Sequence, residues 1–319
     1  MTDRLAVMND PTSHCGDLGA RFEEHRRHLL GIAYRMLGSH AESEDVVQDT
    51  WLRLSRMTDE QIDGIDNLAG WLTTTAGRLS LDRLRSRSRR RTESLEAAAE
   101  QRLPDPVVRR FDDAAEADDP AAAAELAESV SLALLVVLET LPPAERLAFV
   151  LHDTFAVPFD DIAPIVQRSP EATRQLASRA RRRLRDTPAD LESRTAGDVT
   201  RQREVVEAWI AAARGGDFEA LVSLLDPDAV LQVDSGRPRT SRVIHGAETI
   251  ARNATSFRRP DAIIEVVLVN GAAGLLAVEH GRPLALGSFA FGPDGRIVAV
   301  SIIADRQRLG QLGLPEIGG

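Results

Sequence analysis

The sequence predicts a multidomain protein in which two all-α domains are followed by an α+β domain. Through most of the first two hundred residues, apolar side chains recur at three- and four-residue steps, as on the buried face of a helix. An acidic, proline-containing stretch at 93–128 interrupts that pattern. After residue 197 the chain changes to short alternating segments separated by turns, which is typical of strands. A length of 319 residues accommodates these three domains.

The first helical domain is predicted at 21–92, after a flexible tail at 1–20. Its first helix ends at Gly38, a residue type that commonly terminates helices. Ser39 or Ser43 is a plausible cap for the second helix. The three predicted helices cover 21–37, 42–54 and 68–91.

A second helical domain is predicted at 129–190, beyond the acidic linker at 93–128. The linker carries 3 Arg against 11 acidic residues and few apolar ones, so we expect it to be flexible or partly helical. The domain ends in two short helices at 159–166 and 170–185, separated by a tight break. Ser169 as cap, followed by Pro170, gives the second of them a strong start. Two such helices, the second rich in arginine, predict a helix-turn-helix.

The C-terminal domain is predicted at 198–319 and combines helices with an antiparallel meander. Asn270-Gly271 between two alternating segments is a strong hairpin signal. Helices packed on one face of the sheet would complete an α+β domain. The predicted helices cover 200–214, 218–225 and 247–255, and the predicted strands cover 229–233, 263–269, 275–279, 284–291 and 297–303.

Charge is distributed unevenly along the chain. The formal net charge is −10, and all 39 basic residues are arginines. A net negative charge argues against nucleic-acid binding only when the charge is spread evenly over the chain. The linker holds eight of the ten net negative charges, whereas arginines cluster at 78–91 and 168–185. The sequence therefore keeps two locally basic helices that are suited to DNA.

Both basic helices carry candidate DNA-binding residues. Arginine can donate two hydrogen bonds to guanine, glutamine can read adenine, and further arginines neutralise phosphates. A solvated basic helix without a ligand is the alternative reading. In the helix after Ser169 the candidates are Thr173, Arg174, Gln175, Ser178, Arg179 and Arg182; in the third helix and the loop before it they are Asn67, Arg78, Asp82, Arg85 and Arg89. On the third helix, Asp82 is spaced to hold Arg78 and Arg85.

The second helix has the opposite charge, with Asp45 and Asp49 beside Gln48 and Trp51. Such a face is often simply solvated. Because it neighbours a helix suited to DNA, a basic protein partner is the second interpretation.

Three motifs in order along the chain resemble domains 2 and 4 of an extracytoplasmic-function sigma factor of the sigma-70 family. They are the segment 41–53, Trp71-Leu72 followed by Arg78, Asp82 and Arg85, and the paired helices at 155–185. The resemblance implies that Asp45, Gln48, Asp49 and Trp51 dock on the β′ clamp helices of core RNA polymerase. It also implies that the third helix and the loop before it bind and melt the −10 promoter element, while the helix after Ser169 enters the major groove at the −35 element.

The segments 149–153, 155–159 and 174–180 resemble a subgroup of these sigma factors in which a SnoaL-like domain follows domain 4. The resemblance implies a cone-shaped α+β fold for 198–319 and a role in modulating the sigma factor itself. The regulatory contacts that it implies are Leu103, Pro104, Asp105 and Pro106 in the linker, and Asp234, Gly236, Arg237 and Asp305 in the C-terminal domain.

Two other functions remain open from the sequence. One is a helix-turn-helix regulator that acts without polymerase. The other is an enzyme or small-molecule receptor in the C-terminal domain, for which Asp234, His245, Glu279 and His280 are the polar candidates. We expect no catalysis, although an unidentified small ligand in this domain is conceivable.

The remaining expectations concern partners and location. His25 and His28 lack carboxylate or thiol neighbours, so no metal site is expected, and no cofactor is implied. Cys15 has no partner for a disulfide, which fits a reducing cytoplasm. The apolar stretch at 262–278 contains Glu265 and a turn, so no membrane span is expected. We expect the free chain to be a monomer.

Overall fold

The computed structural model describes residues 11–93, 102–111, 130–185, 199–236, 242–256 and 259–317. The first helical domain consists of α1 (Pro11–Leu37), α2 (His40–Leu54), α3 (Asp59–Asp63) and α4 (Leu68–Glu93). Helix α1 begins at Pro11, so 11–20, which the sequence assigned to a flexible tail, are helical instead. It ends at Gly38, whose φ of 65° suits a residue without a side chain.

The second helical domain has the predicted helix-turn-helix at its end. It consists of α5 (Leu132–Thr140), α6 (Pro143–Phe149) with a π-helical turn at Val150–Thr154, α7 (Phe159–Val166) and α8 (Pro170–Arg185). Gln167 adopts a left-handed conformation, with φ of 57°, and ends α7. The Ser169 hydroxyl then accepts the N–H of Ala172 at 3.2 Å, which caps α8.

The C-terminal domain is a mixed sheet with helices packed against it. Its elements are α9 (Val199–Gly215), α10 (Phe218–Leu224), β2 (Leu225–Asp234), β3 (Arg242–His245), α11 (Ala247–Ser256), β4 (Ala262–Val269), β5 (Ala272–Glu279), β6 (Arg282–Phe291), β7 (Ile297–Ile303) and α12 (Arg306–Leu309). With β1 (Val108–Arg110), which comes from the linker, the strand order is β1-β4-β5-β6-β7-β2-β3. The predicted antiparallel meander from β4 to β7 is confirmed, and β2 joins it parallel to β7. This mixed sheet fits a SnoaL-like cone.

The linker supplies the first strand of that sheet, β1 (Val108–Arg110). It pairs antiparallel with β4, with Val108 opposite Val269 and Arg110 opposite Val267. The expectation of a flexible or partly helical linker is therefore wrong for 102–111. The physical reason is that the edge of β4 offers unpaired backbone groups, which an extended segment satisfies.

The two helical domains share one hydrophobic core, and we call this packing the closed arrangement. Gly77 on α4 lies so near the second domain that a Cβ there would be 3.4 Å from the Leu151 side chain and 3.5 Å from that of Leu147. The ring of Phe155 packs edge-on against His28 of α1, with 4.9 Å between ring centroids. Fully buried members from both sides are Leu29, Met36, Leu72, Leu81, Leu138, Leu147, Leu151 and Ile162.

A substitution in the second helical domain should therefore destabilise the first. Leu147→Ala removes buried methyl groups at the shared core and is expected to lower the free energy of unfolding by about 2–5 kcal/mol. In a Trp209→Phe background the remaining tryptophans, Trp51 and Trp71, both lie in the first domain. Urea unfolding followed by their fluorescence should shift to a lower midpoint.

The matched control is Leu221→Ala, which truncates an equally buried leucine in the separate core of the C-terminal domain. It should move the midpoint of the tryptophan signal far less. An unchanged midpoint in the Leu147→Ala protein would show that the two helical domains fold independently.

Candidate nucleic-acid interface and interdomain clamp

Helix α8 presents most of its predicted DNA-binding residues to solvent. Five of the six candidates are exposed, namely Arg174, Gln175, Ser178, Arg179 and Arg182. Thr173 is the exception, because it is fully buried and its hydroxyl donates to the Ser169 carbonyl at 2.9 Å. The prediction that Thr173 contacts DNA is therefore wrong for this arrangement. Its short side chain lies on the inward face of the helix beside Ala177.

The first turn of α8 is held in place by neighbouring groups. The guanidinium carbon of Arg174 lies 5.3 Å from the centroid of the Phe159 ring on α7, a cation–π contact. Hydrogen bonds from its own backbone N–H and from Ser169 lower the pKa of Glu171. These contacts fix the end of α8 that carries the candidate base-reading residues.

Helix α4 carries a second exposed basic face. Arg78 and Arg89 are exposed, and Arg85 is half-buried with its Nη1 4.0 Å from Oδ1 of Asp82. Between these described side chains, no ion pair joins Asp82 to Arg78, so the predicted double role of Asp82 is only half realised. Asn67 acts as the cap of the helix, since its Oδ1 accepts the N–H of Gly70 at 2.9 Å.

The acidic face of α2 is bound to α4 through Arg83, which the sequence reading missed. Nη2 of Arg83 lies 2.7 Å from Oδ2 of Asp49, and Nη1 lies 3.4 Å from Oδ2 of Asp45. Nη1 also donates to the Glu42 carbonyl at 2.9 Å. The Asp45 and Asp49 side chains nevertheless keep 63% and 45% of their surface exposed. They can therefore meet a basic partner as well.

The other two candidates on α2 differ in exposure. Gln48 is exposed, whereas Trp51 is half-buried and packs on Phe22 of α1 with 5.1 Å between ring centroids. Trp51 therefore both fixes the angle between α1 and α2 and contributes part of its indole to the surface.

A buried arginine, Arg308, binds the linker to the C-terminal domain. The sequence analysis did not predict this contact. Its side chain is only 4% exposed. Nη1 lies 2.6 Å from Oδ2 of Asp234, and Nε and Nη2 lie 2.8 and 2.6 Å from Oδ1 of Asp105. Nη2 also donates to the carbonyl of Leu103. We call these four residues the clamp.

The clamp is completed by backbone contacts. The N–H of Leu103 donates to Oδ2 of Asp234 at 3.0 Å. Asp305 caps α12 by accepting the N–H of Gln307 at 3.0 Å, which positions Arg308 one turn later. At Gly236, with φ of 71°, a Cβ would overlap the Asp305 carboxylate, so only glycine fits.

The structure thus brings most of the predicted regulatory residues together. Pro104 and Pro106 are buried on either side of Asp105, and Arg237 lies outside the described residues. The groups that contact the Arg308 guanidinium all lie far from it in sequence. In the sequence itself, the residue is marked only by being an arginine in a short segment after the last strand.

A second junction, at Asn270, connects all three domains. Its Oδ1 accepts the N–H of Val107 at 2.7 Å, and its Nδ2 donates to the Val130 carbonyl at 2.8 Å and to the Tyr34 hydroxyl at 3.1 Å. That hydroxyl donates in turn to the carbonyl of Asp105 at 2.8 Å. Burial raises the pKa of Tyr34, so its hydroxyl stays protonated and able to donate.

Arg146 is a buried cation between the helical domains. It is 4% exposed and its Nη1 donates to the Met36 carbonyl at 2.6 Å. Its Nε has no hydrogen-bond partner within the described residues. Burial lowers the pKa of Arg146 to about 10. The contact gives the Met36 carbonyl, near the end of α1, a hydrogen-bond donor. The Arg146 guanidinium itself remains incompletely hydrogen-bonded.

The polar candidates for acid–base chemistry do not converge. Asp234 belongs to the clamp, and Oε2 of Glu279 lies 4.0 Å from Nη2 of Arg306. His245 is exposed on the edge strand β3, and His280 is exposed in the turn after β5. Across the described part of the chain, no three His, Cys, Asp or Glu side chains are grouped so as to hold a metal ion.

Among the helices described, none combines the length and the apolar character that crossing a membrane requires.

Comparison with known proteins follows the same division of the chain. The family model for Sigma-70 region 2 matches residues 21–90, and that for Sigma-70 region 4 matches residues 131–184. The first match covers α2 and α4 except its last three residues, and the second covers α5 to α8 except the last residue of α8.

Full-length relatives cover the C-terminal domain as well. The chain is 39% identical to the ECF RNA polymerase sigma factor SigJ of Mycobacterium tuberculosis over 291 residues, 89% of this chain and 87% of the relative. It is 34% identical over 318 residues to a probable ECF RNA polymerase sigma factor SigI of the same species, 98% of this chain and 99% of the relative. The crystal structure of Mycobacterium tuberculosis SigJ matches with a TM-score of 0.69 over 93% of this chain and 99% of that chain. This protein is therefore a member of the extracytoplasmic-function sigma factors of the sigma-70 family.

Proposed function

We propose that this sigma factor engages core polymerase through α2 and the promoter through α4 and α8, and that its C-terminal domain restrains it in the closed arrangement. The observation that carries the proposal is the clamp, which fastens the linker between the helical domains to the C-terminal sheet. As a sigma factor the chain directs promoter-specific initiation and is not an enzyme, in agreement with the sequence prediction.

The charges on the helices suit different partners. The exposed carboxylates of Asp45 and Asp49 suit docking on the basic side of the polymerase β′ clamp helices. Exposed arginines on α4, with Asn67 in the loop before it, suit the −10 element. The exposed arginines and Gln175 on α8 suit major-groove readout at the −35 element.

The closed arrangement cannot serve both promoter elements at once. The two elements are separated by roughly 25 base pairs, which is on the order of 85 Å of duplex at about 3.4 Å per base pair. In the closed arrangement α4 packs directly against α6 and α7 of the other domain. The domains must therefore separate before α4 and α8 reach their elements together.

The C-terminal domain opposes that separation. Through Asn270 it holds Tyr34 of the first helical domain and Val130 at the entrance to the second. One face of its sheet also packs against α5 and Leu103. Opening the helical domains therefore requires these contacts to break or the linker to leave the clamp. We infer that the protein acts in the cytoplasm with polymerase and that the free chain is a monomer.

One observation favours a second function. Helix α8 is exposed even in the closed arrangement, so duplex DNA can reach it without polymerase. A helix-turn-helix regulator of this kind would bind DNA alone but would not make core polymerase start at a promoter.

Run-off transcription with core polymerase tests the proposal. We expect a promoter-specific transcript from the full chain and a larger yield from a chain ended after residue 197, because the truncation removes the restraint. No transcript from either form would favour the polymerase-independent regulator. Equal yields would contradict restraint by the C-terminal domain.

Charge reversal on α2 tests the polymerase surface. Asp45→Arg with Asp49→Arg should weaken binding to core polymerase by tenfold or more, measured by fluorescence anisotropy of labelled sigma factor. The matched control reverses two exposed acids on α3, Asp59→Arg with Asp63→Arg, and should bind normally. Because the first pair also faces Arg83, the single variant Arg83→Gln serves as a second control and should retain affinity. Equal loss in all three proteins would contradict the assignment of this face.

Neighbouring arginines on α12 test the clamp. Arg308→Ala leaves the buried Asp234 carboxylate without a cation and is expected to cost about 3–5 kcal/mol. Amide exchange at 102–111 should accelerate and the run-off yield should rise. Arg306→Ala, which removes a side chain that is 71% exposed, should change neither. Unchanged exchange in the Arg308→Ala protein would show that the clamp does not hold the linker.

A further inference from the structure

A groove of about 440 Å³ lies between helix α9, strand β4 and the end of the linker, and it is open to solvent on one side. Its volume falls within the range of small-molecule sites. One wall comes from the linker itself, through Arg110 and Phe111. A ligand in this groove would thus touch both the C-terminal domain and the segment that the clamp holds.

The groove is lined by three guanidinium groups. Nη1 of Arg110 donates to the Glu316 carbonyl at 3.2 Å, and Nη2 of Arg214 donates to the Ala262 carbonyl at 2.8 Å. A guanidinium has five N–H donors, so these single bonds leave donors on both groups for an anion. Arg203 also lines the groove, with its guanidinium carbon 4.6 Å from the centroid of the Phe111 ring.

Two carboxylates only partly balance these cations. Nε of Arg203 lies 2.8 Å from Oε1 of Glu207, four residues along α9, and Glu265 lies on β4. Among the described lining residues, three arginines stand against two glutamates, so the described wall of the groove carries a net positive charge. Arginine favours carboxylate, sulfonate or phosphate groups because its N–H donors form a planar fork.

The floor of the groove is apolar. Ile210 on α9 and Ile264 and Val266 on β4 are half-buried there. Behind the groove, Trp209 packs on Phe289 with 5.8 Å between ring centroids, and both rings are buried. An apolar group therefore has a surface to cover in the groove.

We propose that this groove binds a small organic anion that carries an apolar or aromatic body, and that the bound anion fastens the linker to the C-terminal domain. The regulatory part rests on the proposed function, because it assumes that a held linker keeps the sigma factor closed. Since the groove is built partly from the linker, ligand binding and linker docking stabilise each other to the same extent.

Two dyes with the same ring system test the binding site in the full chain. 8-Anilinonaphthalene-1-sulfonate has an aromatic body and an anionic group, and N-phenyl-1-naphthylamine has the body alone. We expect saturable fluorescence enhancement with the sulfonate and at least tenfold weaker binding of the uncharged dye. Equal binding of both dyes would show adsorption to an apolar surface and would overturn the proposal.

Variants locate the site. Arg203→Met and Arg214→Met should each weaken sulfonate binding by about tenfold, the loss of one charge-assisted contact. Arg282→Met, an exposed arginine at the start of β6, is the matched control and should bind normally. Ala211→Trp fills the groove from an exposed position on α9, so it should abolish binding without disturbing the core. Wild-type affinity in the Ala211→Trp protein would overturn the proposal even if an arginine variant failed to fold.

Amide exchange tests the coupling to the linker. The sulfonate should slow exchange at Val108 and Arg110, and Arg308→Ala should weaken sulfonate binding in proportion to the fall in the fraction of protein whose linker is docked. Tight binding with no change in linker exchange would overturn the coupling. The dye and exchange experiments contain no polymerase, so their failure would not contradict the proposed sigma-factor function. Failure of the run-off experiment would likewise not contradict anion binding in the groove.

Discussion

The buried ion cluster around Arg308 is the interaction on which the arrangement of the three domains depends. A guanidinium that is 4% exposed is tolerated only because Asp105, Asp234 and the Leu103 carbonyl surround it. Its binding energy fixes the path of the linker. Once Asp105 is fixed, its N–H donates to the Gly38 carbonyl at 2.7 Å, and the first helical domain is anchored to the C-terminal sheet. The path of the linker between the domains thus follows from one satisfied charge.

The interface between the helical domains is of a different kind. Most of it is apolar, but Arg146 is buried there. Its Nη1 donates to the Met36 carbonyl, its Nε has no hydrogen-bond partner in the described structure, and the Glu139 carboxylate supports its charge electrostatically. Desolvating a charge costs free energy that one carbonyl does not return in full. Opening the interface would let water reach Arg146 and recover part of that cost. A core that buries an incompletely hydrogen-bonded cation is therefore easier to separate than a fully apolar core of the same size, which suits the proposed opening of this sigma factor.

The sequence predicted local structure well where one segment determines it, and poorly where distant segments meet. The cap at Ser169 and the hairpin at Asn270-Gly271 depend on neighbouring residues, and both predictions were confirmed. The strand β1 was missed because its partner β4 is more than 150 residues away. Arg308 was missed for the same reason, since its ligands lie 74 and 203 residues distant. Thr173 was assigned to the exposed face of its helix. A small polar residue among alanines does not show from sequence alone whether it belongs to the buried or the exposed face.

The absence of lysine has a structural counterpart in how the arginines are used. Arg83 and Arg308 each bind a backbone carbonyl and carboxylates through different nitrogens of one planar group. A lysine ammonium places all its donors on a single nitrogen and cannot reach acceptors on opposite sides in this way. At these two positions arginine is required by geometry. The exposed arginines of α8 are suited to forked recognition of bases and phosphates, as the proposed function requires. In that proposal the same chemical group holds the domains together and reads the DNA.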